Sequence, residues 1–141
     1  MDAFDADALI YAAKPTHELG RRVRALMPPT KLDPTDPASG IGSVLLIPEV
    51  VGKPMRDGAT RELNTLLDLL ARLDLRPLDR ATAAVAATLS AKYKLTAADA
   101  AHLATAVVVG ADRFITNNRK DFPKSIAEVD IVYPSELPEV S

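Results

Sequence analysis

The stretch from Leu95 to Asn118 constrains the fold most, because it places a single acid, Asp99, in an otherwise apolar helix. Ala100, Leu103, Ala104, Val107 and Val108 fall at i, i+3, i+4, i+7 and i+8, the spacing of a buried helical face. Asp99 therefore borders the core at the start of that helix. Gly110 is placed to end it as a left-handed C-cap, and the β-prone residues Phe114 and Ile115 then lead to a polar turn, Thr116-Asn117-Asn118. The order acid, helix, strand, polar turn points to a site at the end of a strand.

Two further acids share this setting. Asp5 follows the short run Ala3-Phe4 and precedes Ala8-Leu9-Ile10-Tyr11-Ala12-Ala13, where a first strand hands over to a first helix. Glu49 follows Ser43-Val44-Leu45-Leu46-Ile47-Pro48, and proline is best tolerated in a first helical turn, so a helix begins or resumes just before Glu49. Acids favour helix starts anyway, as caps and as partners of the helix dipole. Thr96-x-x-Asp99 also has the form of a capping box, and Asp5 and Asp7 are both acceptable N-caps. Three acids thus map to three helix starts, and capping does not explain the company they keep. In open α/β sheets the ends of parallel strands line one edge, where ligands bind.

A coarse reading places helices near 6–14, 17–27, 47–56, 58–73, 80–93 and 97–109. Strands are expected near 2–5, 41–46, 74–76, 112–116 and 130–133. This alternation predicts an α/β fold of three layers, a central and mostly parallel sheet with helices on both faces. The 141 residues suit one domain, 1–141, able to bury roughly two-thirds of the surface of the unfolded chain. Pro28-Pro29 and Asp33-Pro34-Thr35-Asp36-Pro37 form a proline-rich loop before the second strand, placed to fold over the site or to move. No repeat or low-complexity tract interrupts the chain.

Composition narrows the chemistry. The absence of cysteine removes disulfides, thiol nucleophiles and zinc–thiolate sites, and fits a reducing, cytoplasmic setting. Two histidines far apart in sequence argue against a zinc site, leaving an oxygen-ligand site for Mg2+ or Mn2+. No signal or membrane segment is expected: Ala8 to Ala13 is too short and follows acids instead of a basic run.

The residues themselves resemble a known family. Asp5-Ala6-Asp7-Ala8-Leu9-Ile10-Tyr11 is similar to the Asp-x-Asn-Val-Leu-Ile-Tyr opening of PIN-domain nucleases, and Ser43 with Glu49 to their Ser/Thr…Glu segment. Asp99-Ala-Ala-His102-Leu-Ala-Thr-Ala resembles their Asp-Ala-x-His-x-Ala-Thr-Ala helix, and Phe114-Ile-Thr116-Asn117-Asn118-Arg-Lys-Asp121-Phe122 their closing turn. The compact length resembles the VapC-like branch, the ribonuclease toxins of bacterial toxin–antitoxin pairs. That resemblance implies an endoribonuclease acting on RNA, a small antitoxin partner and a homodimer, for which the helices near 17–27 and 58–73 are the candidate contacts.

Phosphodiester hydrolysis needs an activated water and a counter-charge for the developing negative charge, which divalent cations supply. On this scheme Asp5 and Asp99 are the direct ligands and Glu49 binds a second ion or holds its water. Thr116 and Asn118 orient carboxylates or phosphate. Two departures from the family pattern stand out. The closing turn has Asn118 where an acid is common, so either Asp121 supplies the fourth carboxylate or three acids suffice. Asp7 stands where Asn or Ser is common, and general capping preferences favour a cap over a ligand.

His102, one turn after Asp99, reads as a packed and hydrogen-bonded core histidine instead of a general acid, and His17 as a surface residue. The net charge of −2 gives no overall attraction to RNA, so binding depends on local basic groups. Arg119 and Lys120 beside the closing turn, and Lys53 and Arg56 after Glu49, flank the site; Arg21, Arg22 and Arg24 read as a solvated face. Two alternatives remain: a PIN fold whose catalysis is lost through Asn118 and which binds RNA or protein, and a helical interaction protein in which every acid is a cap.

Overall fold

The computed structural model of the chain describes residues 1–28 and 35–140. Five short strands, β1 (Asp2–Phe4), β2 (Gly40–Ser43), β3 (Leu73–Arg76), β4 (Arg113–Ile115) and β5 (Asp130–Val132), form one sheet in the order β3-β2-β1-β4-β5. Every pairing is parallel. Among the described residues six α-helices accompany the sheet: α1 (Ala6–Ala12), α2 (Glu18–Arg24), α3 (Leu46–Asp57), α4 (Thr60–Ala71), α5 (Arg80–Tyr93) and α6 (Ala97–Val109). The expected three-layer α/β architecture is present, and the sheet excludes an all-helical protein.

Because side chains alternate across a strand, each strand feeds both layers. Phe4, Ile115 and Val132 join Leu9, Leu46, Val50, Leu66 and Leu69 on the face covered by α1 to α4. Their neighbours Ala3, Phe114 and Ile131 pack with Leu89, Leu103 and Ala104 on the face covered by α5 and α6. The seven residues Ala100 to Ala106 of α6 are all buried, whereas Val108, expected on the buried face, is half exposed. A helix enclosed on all sides at its middle and open at its end has no single apolar stripe, which is why a periodic face misjudged Val108.

Strand β2 stops three residues earlier than the run Ile41–Leu46 suggested. The Ser43 hydroxyl accepts a 3.1 Å hydrogen bond from the Leu45 N–H, which turns the chain, and Leu46 opens α3. Gly42 makes the turn compact: a Cβ there would lie 2.4 Å from the Leu46 Cδ1. Pro48 falls in the first turn of α3, as its missing N–H requires. The proline-rich loop falls largely on residues 29–34, outside the described residues.

Three readings of single side chains change. His17 caps α2, its Nδ1 accepting from the Gly20 N–H at 3.1 Å, and stacks on Tyr11 with ring centroids 4.7 Å apart, so it is structural. Arg22 is not part of a solvated face: its side chain is 10 % exposed and donates to the carbonyls of Ser135 and Leu137. Arg24 likewise donates from Nε to the Ala12 carbonyl at 2.9 Å. These guanidiniums bind the C-terminal segment and the end of α1 to α2. No helix among the described residues is long and apolar enough to cross a membrane.

Candidate active site

The strand order reverses between β1 and β4, since β2 and β3 lie on one side of β1 and β4 and β5 on the other. In a doubly wound sheet that switch point opens a crevice at the carboxyl ends of the strands. Asp5 follows β1 and Thr116 follows β4, so both stand at that crevice. Helices that follow a strand begin at this edge, which brings in Asp7 on α1 and Glu49 on α3. The helix α6 runs back antiparallel into β4, so its N-terminus, with Asp99, lies at the same edge.

Asp5 is held on all sides. Its N–H donates to the Ile115 carbonyl at 2.9 Å, its Oδ1 caps α1 by accepting from the Ala6 N–H at 2.8 Å, and its Oδ2 accepts from the Thr116 hydroxyl at 2.7 Å. Thr116 Oγ1 accepts in turn from the Asn118 N–H at 3.1 Å, which fixes the hydroxyl proton toward Asp5. At 0 % exposure Thr116 cannot touch a substrate; it orients Asp5. Asn118 Nδ2 donates to Asp121 Oδ2 at 2.9 Å while its Oδ1 accepts from the Asp121 N–H at 3.2 Å. The neutral amide at the departed position thus clamps the carboxylate three residues on.

Asp7 is not the cap of α1, since Asp5 fills that role. Both Asp7 oxygens lie 3.2 Å from the Asn117 N–H, tying α1 to the closing turn. Thr96 caps α6 by accepting from the Asp99 N–H at 3.3 Å. Across the cluster, His102 Nε2 lies 3.1 Å from Glu49 Oε1, at ion-pair distance but without hydrogen-bond alignment. The hydrogen bond expected of this buried histidine is therefore missing, and its polar neighbour is a site residue.

The electrostatics join these groups into one cluster. Burial, then the charge of Asp7, pushes the Asp5 carboxyl up to about 7; the bonds from Thr116 and Ala6 oppose this and Asp99 adds to it. Burial also raises Asp7, with Asp99 adding to the effect against the Asn117 and Ala8 N–H groups. Asp99 is raised by burial, by Asp121 and by Glu49, and lowered by Thr96 and His102. Among the described residues, no lysine or arginine is a main influence on any of the three. Nor are three Asp, Glu or His side chains among these residues drawn together into a ready-made coordination shell. Of the flanking basic groups, Arg119 donates to Ser135 Oγ at 2.7 Å and lies over the Tyr133 ring, while Lys120 is exposed.

The sequence pattern of this arrangement matches the family model described as PIN domain over residues 4–127. The chain belongs to the PIN domain family. Among solved structures it is similar to a toxin–antitoxin complex from Klebsiella pneumoniae, with a TM-score of 0.72 at 24% identity, covering 97% of this chain and 100% of that chain. At that identity the likeness establishes the fold. No curated protein matches the chain.

Proposed function

We propose that the chain is a divalent-metal-dependent endoribonuclease, the toxin of a toxin–antitoxin pair. One observation carries this reading: Asp5, Asp7 and Asp99 stand at the switch point, each with its proton affinity raised first by burial and further by a neighbouring carboxylate, and among the described residues no lysine or arginine is among the main influences on them. Hard oxygen donors with unbalanced negative charge suit Mg2+ or Mn2+. Magnesium keeps several of its waters and takes one or two carboxylates directly, so it does not require a complete protein shell. Asp5, Glu49 and Asp99 would hold the ion, which supplies an activated water and a counter-charge to the scissile phosphate.

The remaining work falls to the protein. Thr116 and the Ala6 N–H fix both oxygens of Asp5, and each oxygen keeps lone-pair capacity beyond those bonds. Asn118 sets the direction of Asp121. Asp7 holds the closing turn against α1, so that β1 and β4 present their ends together. Lys120 is the freer phosphate contact, with Arg119 adding charge from its seat on Tyr133. Likeness to a toxin–antitoxin complex supports an antitoxin partner for this chain, and a cytoplasmic setting and a homodimer are what the family resemblance implies. For that dimer α4 offers the exposed Leu67, whereas α2 is occupied by the C-terminal segment.

The test is RNA cleavage by the purified chain in MnCl2 and in EDTA, with Asp99→Asn beside the wild type. The expected result is cleavage that EDTA abolishes and that Asp99→Asn lowers roughly a hundredfold or more, beyond what changes outside the ligand shell produce. Cleavage indifferent to EDTA, or wild-type rates in Asp99→Asn, would remove the reading. RNA binding without cleavage by the wild type would favour the catalytically impaired alternative.

A further inference from the structure

We propose that His102 is a positioning residue that fixes the carboxylate of Glu49 beside Asp99 for cation binding, an inference that rests on the cation-site reading above. His102 and Asp99 are three residues apart on α6 and share one side of it. The imidazole side chain is 0 % exposed and lies on a helix whose neighbouring residues Ala100, Leu103 and Ala104 are buried and apolar. Neither ring nitrogen has a hydrogen-bond partner. A buried polar ring in such surroundings is costly, and an aliphatic side chain of similar size would pack there without that cost. The one polar group the ring does meet is Glu49 Oε1, 3.1 Å from Nε2.

Glu49 shows the same relation from the other side. It stands on α3, in the layer opposite α6, with its side chain 33 % exposed, and among the described residues His102 is its one side-chain partner. A glutamate free at its χ angles would lose that freedom on binding an ion. Contact with the buried ring limits where Oε1 can lie before an ion arrives. The contact passes over the sheet edge and so also ties the two helical layers together where the acids meet. Asp99 lies within the electrostatic reach of both partners, which places all three groups at one site.

The experiment is calorimetric titration of MnCl2 into the metal-free full chain, with thermal unfolding of each variant. His102→Leu fills the volume without a donor, and His102→Gln restores an N–H near the position of Nε2. We expect His102→Leu to melt no lower than the wild type yet bind Mn2+ roughly tenfold or more weakly, in the range of residues that orient a ligand. His102→Gln should recover most of that loss. In a Glu49→Gln background, His102→Leu should add no further loss, because the two act as one unit. In the metal-free protein, Glu49→Gln should move the 15N signal of His102 Nε2. Mn2+ affinity unchanged in His102→Leu, no recovery in His102→Gln, full additivity with Glu49→Gln, or an unmoved Nε2 signal would each overturn the inference while the nuclease reading stands. A wild type that binds no Mn2+ would overturn both.

Discussion

Metal-free protein is expected to lose stability as the pH rises from 5 to 8, and Asp5→Asn is expected to remove most of that loss. The cause is the Asp5 carboxyl, whose value near 7 in the fold stands well above 3.8. Between those values the folded chain holds a proton that the unfolded chain has released, so stability falls as pH rises through the window. At one pKa unit per 1.36 kcal/mol the full effect is of order 4 kcal/mol, developed above pH 7. Asparagine carries no charge into the site and keeps an oxygen to cap the Ala6 N–H, while the Thr116 hydroxyl can turn to accept from its amide. At pH 8 the variant should melt roughly 10 °C above the wild type in EDTA. Part of the pH dependence should survive, because Asp7 and Asp99 are raised as well. Urea denaturation at pH 5, 6, 7 and 8 measures it. A wild type of constant stability across that range, or an Asp5→Asn that melts lower at pH 8, would show that burial and the neighbouring carboxylates do not hold the Asp5 carboxyl above its ordinary range.

Gly20→Ala is expected to cost roughly 3 kcal/mol or more, against the usual rule that alanine stabilises a helix interior by about 1 kcal/mol. A Cβ at Gly20 would lie 1.9 Å from the carbonyl oxygen of Tyr11 and 2.5 Å from its carbon. Both atoms are backbone, so no side chain can swing aside and α1 must separate from α2. The start of α1 carries Asp5 and Asp7, so the damage should reach the acid cluster as well. Gly52→Ala is the matched control. Gly52 lies inside α3 with nothing within 4 Å of its Cβ position, and alanine there should be neutral or stabilising. Equal urea midpoints for Gly20→Ala and the wild type would contradict the close packing of these two helices.

What the sequence made legible was mostly local. Gly110 does end α6 in the left-handed region, at φ 75, and the alternation of elements does build a parallel sheet with Asp5, Glu49 and Asp99 at one edge. The misread features depend on distant partners. The run Val44-Leu45-Leu46 is as apolar as any strand, and only the Ser43 hydroxyl and the fit of Leu46 onto Gly42 turn it into a helix start. Asp7 has the appearance of a cap, but the group it binds lies 110 residues away. His102 looks like core because it is core; its contact with Glu49 depends on how two helical layers meet. Arg22 follows the same rule, since the carbonyls it binds lie in a segment more than a hundred residues later. The role of Asn118 did have a local signal: Asn-x-x-Asp allows an amide to bind the N–H and carboxylate three residues on.

The most direct measurement is the anomalous difference map of crystals grown with MnCl2, read for what coordinates the ion. Manganese is expected at the switch point between β1 and β4, bound by the carboxylates of Asp5 and Asp99, with Glu49 on the ion or on one of the waters that complete its shell. Manganese absent from that edge of the sheet, or bound there without either carboxylate, would contradict the proposed metal site.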